Sequence, residues 1–179
     1  VPRRFYSASI LGQSIELKWA KENRFDLKEE DLFLILESKT GYYTIAGPMR
    51  LGAIIAGASK KQLEIIYRFG VMLGKAFQII DDVLNITTDF NGLKEEKGSD
   101  ILEGKRTLLV VHLLNNSTEH QREEICNIIN KPRNTKSQED IDFIIKLFSQ
   151  RGSVDYAISK ANDWSKKGFE KLNQCDFLY

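Results

Sequence analysis

From Lys61 to Thr88 the sequence is apolar on nearly every side of a helical wheel, through Ile65, Ile66, Phe69, Val71, Leu73, Phe77, Ile79, Ile80, Val83, Leu84 and Ile86. A helix of that kind keeps no face for water and is expected to lie buried. The rest of the chain must then supply its cover, and its patterning is helical too: apolar residues recur at spacings of three and four, strand signals are sparse, and the chain holds three prolines. The expected fold class is all-α. Residues 1–179 are read as a single domain, a length that buries a continuous core without staples.

The periodicity predicts a first helix over Tyr6–Asn23, with Ile10, Ile15, Trp19 and Ala20 turned inward. A second runs from Lys28 through Thr40 towards Pro48, which is expected to kink or end it because proline lacks an amide donor. A third, rich in small residues, covers Met49–Ser59. After the apolar segment, the charged and glycine-bearing stretch Asp89–Gly104 reads as a mobile loop. Further helices are expected over Arg106–Leu114, Glu119–Ile129, Gln138–Gln150 and Ser153–Asn173, with a polar linker at Lys131–Lys136.

Charge narrows the possible partners. With 26 basic residues against 25 acidic ones and no block of one sign, nothing resembles a nucleic-acid footprint. Cys126 and Cys175 belong to no CxxC or Cys/His cluster, so neither a zinc site nor a disulfide framework is indicated, and a reducing, cytoplasmic setting fits. No apolar run reaches the roughly 20 residues a transmembrane helix needs.

One feature of the apolar helix resists a packing explanation. Its strongly polar residues after Lys75 are Gln78, Asp81, Asp82 and Asn85, at relative positions 0, 3, 4 and 7, which lie on one face. Burying a carboxylate without a partner costs several kcal/mol, on the order-of-magnitude scale for buried ions, and neither adjacent turn of the helix carries a basic residue. A divalent cation would supply the charge. A helix end at which both aspartates face solvent, or pair with a distant lysine, would also satisfy them.

The flanking run from Gly74 through Phe77 and Gln78 to Asn85 resembles the second aspartate-rich motif of the trans-polyprenyl diphosphate synthase family, GxxFQxxDDxxD. Three more elements follow that family's order. Gly12, Gln13 and Glu16 are similar to its GQxxD element, and Lys39–Thr40 to its Lys-Thr element. Gly98, Asp100, Glu103, Gly104, Lys105 and Thr107 are similar to its GxDxxEGKxT loop.

The resemblance implies an isoprenoid synthase-type helical bundle. It also implies a magnesium-dependent prenyltransferase of the farnesyl or geranylgeranyl type, which condenses isopentenyl diphosphate with an allylic diphosphate and is commonly a homodimer. By the same resemblance Asp81, Asp82 and Asn85 hold Mg2+, and Lys39 and Lys105 bind substrate diphosphate. Lys39, Thr40 and Gln78 stand near the reacting carbon, and Gln13 and Glu16 lie behind the metal site. From spacing alone, Gln13 and Glu16 read equally as a surface pair.

The match departs from the family at Asn85 and Glu16, where aspartate is usual, and in lacking the upstream DDxx(xx)D motif and its arginines. The sequence opens on Val1, so the expectation is that it corresponds to the C-terminal portion of such an enzyme. A noncatalytic subunit of a heteromeric synthase is the alternative, and the Lys-Thr and EGK elements argue against a cyclising terpene synthase.

Overall fold

The computed structural model describes residues 2–88 and 97–176, the first seven of them as backbone. Within them every regular element is helical: α1 Pro2–Lys21, α2 Glu29–Leu36, a π-type segment Glu37–Ala46, α3 Gly47–Ile55, α4 Lys60–Thr87, α5 Ser99–Leu102, α6 Leu108–Asn115, α7 Glu119–Asn130, a 3-10 turn Arg133–Thr135, α8 Gln138–Gln150 and α9 Ser153–Leu172. The chain forms two compact units. One comprises Val1–Ile15, Phe33–Gln78 and Lys160–Tyr179, and the other Glu16–Leu32 and Ile79–Ser159.

In the first unit, Ile65, Ile66, Phe69 and Val71 of α4 are buried. Phe69 meets Phe169 edge-on with ring centroids 5.4 Å apart, Tyr67 meets Tyr42 at 5.9 Å, and Trp164 meets Phe33 at 5.3 Å. The helix backbones approach closely at Gly74, where a Cβ would lie 2.3 Å from the Cα of Gly41. Only glycine permits that approach.

Pro48 stands just past the end of the π-type segment, at the start of the next helix. The chain widens into the i→i+5 pattern before it, closing with Gly47 N–H donating to Tyr42 C=O. Pro48 then falls in the first turn of α3, where an amide donor has no intrahelical partner to lose. Ile10 differs from expectation, being 62% exposed. Around it α1 packs through buried Gly12, where a Cβ would lie 3.2 Å from the Ser38 Cβ, so the inward stripe is centred on the glycine.

The second unit is organised around α6, in which Leu108, Leu109, Val110, Val111, Leu113 and Leu114 are all buried. Ile79, Val83, Ile86, Ile125, Ile129, Ile144 and Phe148 complete its interior. Capping boxes start α7 at Thr118 and α8 at Ser137, each satisfying two otherwise orphaned amides. His112 shares a 3.0 Å hydrogen bond with Ser153 Oγ and stacks on Tyr156 at 4.1 Å.

The expected mobile loop Asp89–Gly104 is corrected in its second part. Its first stretch, 89–96, lies outside the described residues, whereas Ser99–Leu102 form a buried helical turn. The side chain of Asn85 on α4 fastens that turn, an anchor that a reading by glycine and charge content overlooks.

Candidate active site

Helix α4 is continuous from Lys60 to Thr87, so Gln78, Asp81, Asp82 and Asn85 keep their helical spacing. The helix is not closed on all sides: Phe77 and Leu84 are 54% and 52% exposed. They share its open face with Asp81, which is exposed, while Asp82 is buried.

In the first unit, Thr40 lies in the π-type segment and is 5% exposed. Its hydroxyl donates to Gln78 Oε1 at 2.7 Å. The glycine contact one turn earlier on α4 makes this possible, because the Lys39–Thr40 segment can then lie against the helix backbone. Lys39 is half-buried beside Thr40, and its backbone N would lie 3.4 Å from a Cβ on Gly12. That places the GQ element against the Lys-Thr element, although Gln13 itself is exposed.

Lys75 was not among the sequence candidates. Its ammonium is buried, pairs with Glu37 at 2.8 Å and lies over the Trp164 ring at 4.5 Å. A lone lysine in an otherwise oily run was the available signal.

In the second unit, Asn85 Nδ2 donates to Ser99 Oγ at 2.7 Å, and the Asp100 amide donates to Asn85 Oδ1 at 3.2 Å. Here the asparagine's donor end meets the Ser99 hydroxyl, whereas an aspartate would have to accept from that hydroxyl instead. Lys105 Nζ donates to Asp100 Oδ1 at 2.5 Å and lies 3.2 Å from Glu103. Asp82, Asp100 and Lys105 line one small cavity, walled by Ile86, Leu109 and Phe148. Glu16 lies elsewhere, on the rim of a second cavity with Lys105 and Glu103.

Burial raises the Asp100 pKa. Lys105 opposes the shift, and the negative charges of Glu103 and Asp81 add to it. Burial also disfavours the Lys105 ammonium, but its bond to Asp100 and the surrounding carboxylates more than offset this and hold its pKa above the ordinary lysine value. Asp100, which sequence reasoning quoted in its motif without giving it a role, thus brings a third carboxylate into the electrostatics of the aspartate pair.

Oxygen is the only donor type in this set, which suits a hard cation. Among the described residues no three histidine, cysteine or carboxylate groups converge on one point. A two-carboxylate anchor completed by phosphate oxygens and water is nonetheless the usual protein contribution to a magnesium site, so the residues fit.

A family model described as polyprenyl synthetase matches residues 4–148. The chain belongs to the polyprenyl synthetase family. It is 34% identical over 164 residues to a geranylgeranyl diphosphate synthase of Sulfolobus acidocaldarius, covering 91% of this chain and 48% of the relative. It is 32% identical over 161 residues to a short chain isoprenyl diphosphate synthase of Methanothermobacter thermautotrophicus, covering 90% and 47%.

Among solved structures, a geranylgeranyl pyrophosphate synthase from Corynebacterium glutamicum, complexed with isoprenyl diphosphate and magnesium, matches with a TM-score of 0.87 and 28% identity. The match covers 97% of this chain and 48% of that one. The all-α fold is thus that of the isoprenyl synthases, and this member of the polyprenyl synthetase family spans about half the length of the curated relatives it matches. None of its described helices is long and apolar enough to cross a membrane.

Proposed function

We propose that this protein acts in a trans-polyprenyl diphosphate synthase as a magnesium-dependent prenyltransferase, condensing isopentenyl diphosphate with an allylic diphosphate and releasing diphosphate. We read the chain as the C-terminal portion of one polyprenyl synthetase domain. The observation that carries the proposal is Asp82 sheltered in one cavity with Asp100 and Lys105, next to Asp81 on the open face of α4.

Asp81 and Asp82 offer the metal carboxylate oxygens. Asn85 Oδ1 keeps one lone pair beyond the bond it accepts from the Asp100 amide. Magnesium, when bound, supplies positive charge to a diphosphate as its bond to the allylic carbon breaks. Lys105, held ammonium by Asp100, and Lys39 neutralise the leaving diphosphate as point charges.

The Thr40 hydroxyl donates to Gln78 Oε1, and in the proposed step the lone pairs these two oxygens retain stabilise the carbocation left behind. The double bond of isopentenyl diphosphate attacks that carbon, and a proton is lost from the adduct. Phe77 and Leu84, exposed beside Asp81, form an apolar surface that keeps water from the cation. Gln13, which is exposed, and Glu16, which lines the second cavity, are given no role in the proposed step.

The two cysteines are free, in keeping with a cytoplasmic setting, and the assembly we propose is a homodimer that binds no nucleic acid. One relative favours a second reading. It is named component 2 of a Bacillus subtilis heptaprenyl diphosphate synthase and is 31% identical over 129 residues. A heteromer with another chain fits that name.

Incubation with Mg2+, isopentenyl diphosphate and farnesyl diphosphate, followed by product separation, tests the proposal. We expect elongated prenyl diphosphate that Asp81→Ala abolishes; unchanged turnover in Asp81→Ala would remove the metal assignment. Product that forms only after a second chain is added would select the heteromer.

A further inference from the structure

Lys75 is a charge where packing asks for none. It lies on the α4 stripe between Val71 and Ile79, both buried, and is itself 7% exposed. A leucine or methionine would complete that stripe, and exchanging a buried ion pair for well-packed apolar residues is often neutral or stabilising. Stability therefore does not account for the lysine. The best-attested use of such a buried pair is to fix one register over its alternatives.

The contacts of Lys75 show which register it fixes. Its Nζ meets Glu37 Oε2 at 2.8 Å, and Glu37 opens the π-type segment Glu37–Ala46. From a third element, α9, the Trp164 ring lies 4.5 Å from the ammonium and is itself propped by Phe33 at 5.3 Å, so the lysine head has a fixed seat. Three residues further along both elements, the Thr40 hydroxyl donates to Gln78 Oε1 at 2.7 Å. Two polar ties, 37 to 75 and 40 to 78, thus join the segment carrying Lys39 and Thr40 to α4.

Beside these ties the two backbones touch at Gly41 and Gly74. Two glycines bring the elements close but offer no side chain that interlocks, so their contact alone does not stop the segment from rolling or sliding along α4. Either motion would part Lys75 from Glu37 and leave a buried charge without its partner, which is strongly unfavourable.

We propose that Lys75 is a positioning residue: through Glu37 and Trp164 it sets the roll of the π-type segment and so keeps the Thr40 hydroxyl on Gln78. Its part in prenyl transfer rests on the proposed roles of Thr40 and Gln78 at the reacting carbon. Its part in the geometry does not.

The Gln78 side-chain amide, followed by nitrogen–proton correlation NMR of the folded chain and assigned by its absence in Gln78→Glu, reads the contact without any turnover. We expect Thr40→Val to shift it in the parent. Lys75→Met combined with Glu37→Gln removes both charges and leaves neither uncompensated. In that double variant the resonance is expected at its Thr40→Val position, and adding Thr40→Val should move it no further. Lys75→Arg, which keeps the cation, is expected to stay at the parent position. Glu37→Asp keeps the charge but draws the carboxylate back, and is expected to shift the resonance part-way. A resonance that stays at the parent position in the folded double variant, or in Glu37→Asp where the double variant does not fold, overturns the inference.

In a preparation that forms product, kcat of the double variant is expected to fall about tenfold, the rate equivalent of one neutral hydrogen bond. KM for isopentenyl diphosphate should be unchanged, and Lys75→Arg should retain most of the parent rate. A shifted resonance with unchanged kcat also overturns the positioning role. A parent that makes no product refutes the prenyl-transfer reading instead, and the resonance then still decides whether Lys75 sets the Thr40 contact.

Discussion

Replacing Gly74 by alanine probes the packing that brings Thr40 to Gln78. The added methyl would lie 2.3 Å from Gly41 Cα and 2.9 Å from Gly41 N, whereas carbon atoms rest at about 3.5–4.0 Å. The π-type segment and α4 must therefore separate by more than a bond-length adjustment can absorb. Overpacking costs about 1–3 kcal/mol, and the upper end applies because the obstacle is backbone and cannot rotate away. Alanine returns about 1 kcal/mol of helix propensity, leaving a net loss of about 2 kcal/mol.

Gly52→Ala is the matched control. Gly52 lies within α3 and a Cβ there meets nothing within 4 Å, so it is expected to stabilise by about 0.5–1 kcal/mol. Urea denaturation followed by far-UV circular dichroism measures both variants. Opposite signs are predicted; a Gly74→Ala protein as stable as the parent would refute the close approach and the placement of Thr40 that depends on it.

Thr118→Ala removes the α7 capping box and is expected to cost about 1 kcal/mol in the same assay. Asn85→Leu should release α5 from α4, seen as faster amide exchange at Leu102 and Glu103, whose N–H groups bond Gly98 and Ser99 carbonyls within that turn; unchanged protection would show that Asn85 does not fasten it. For Lys136 the folded pKa of about 8 lies below the ordinary lysine value of 10.5. The unfolded state thus binds the extra proton between those values, and Lys136 adds stability as pH rises from about 8 to 10.5. Lys136→Gln should flatten that part of the stability profile.

The sequence showed the helices well where the apolar period was strong. Gln138–Gln150 was read to the residue, and α4 to within one at each end. It failed where tertiary contacts override local pattern. Ile10 has the period of a core residue, yet α1 packs through Gly12 because a missing side chain allows the closer approach. Ser99–Leu102 is short and follows a glycine, and it is fastened by an asparagine fourteen residues away in sequence.

For the candidate site, the spacing of Gln78, Asp81, Asp82 and Asn85 was legible on one helix. The partnership of Thr40 with Gln78 spans 38 positions and that of Lys75 with Glu37 joins two helical segments, so neither has a sequence signature beyond its residue types. The approach of Arg106 and Lys136 to Gly104 was least legible, because the two meet there only when the 129–136 connection folds back on the turn before α6.

The central claim is that Asp81 and Asp82 hold a divalent ion together with diphosphate. Manganese, an oxygen-seeking stand-in for magnesium, can be titrated by electron paramagnetic resonance with and without inorganic diphosphate. The account predicts bound manganese whose affinity rises when diphosphate is present and drops at least tenfold, the loss of about one charge-assisted ligand, in Asp81→Ala and Asp82→Ala. Equal manganese affinity in the parent and both variants would contradict it.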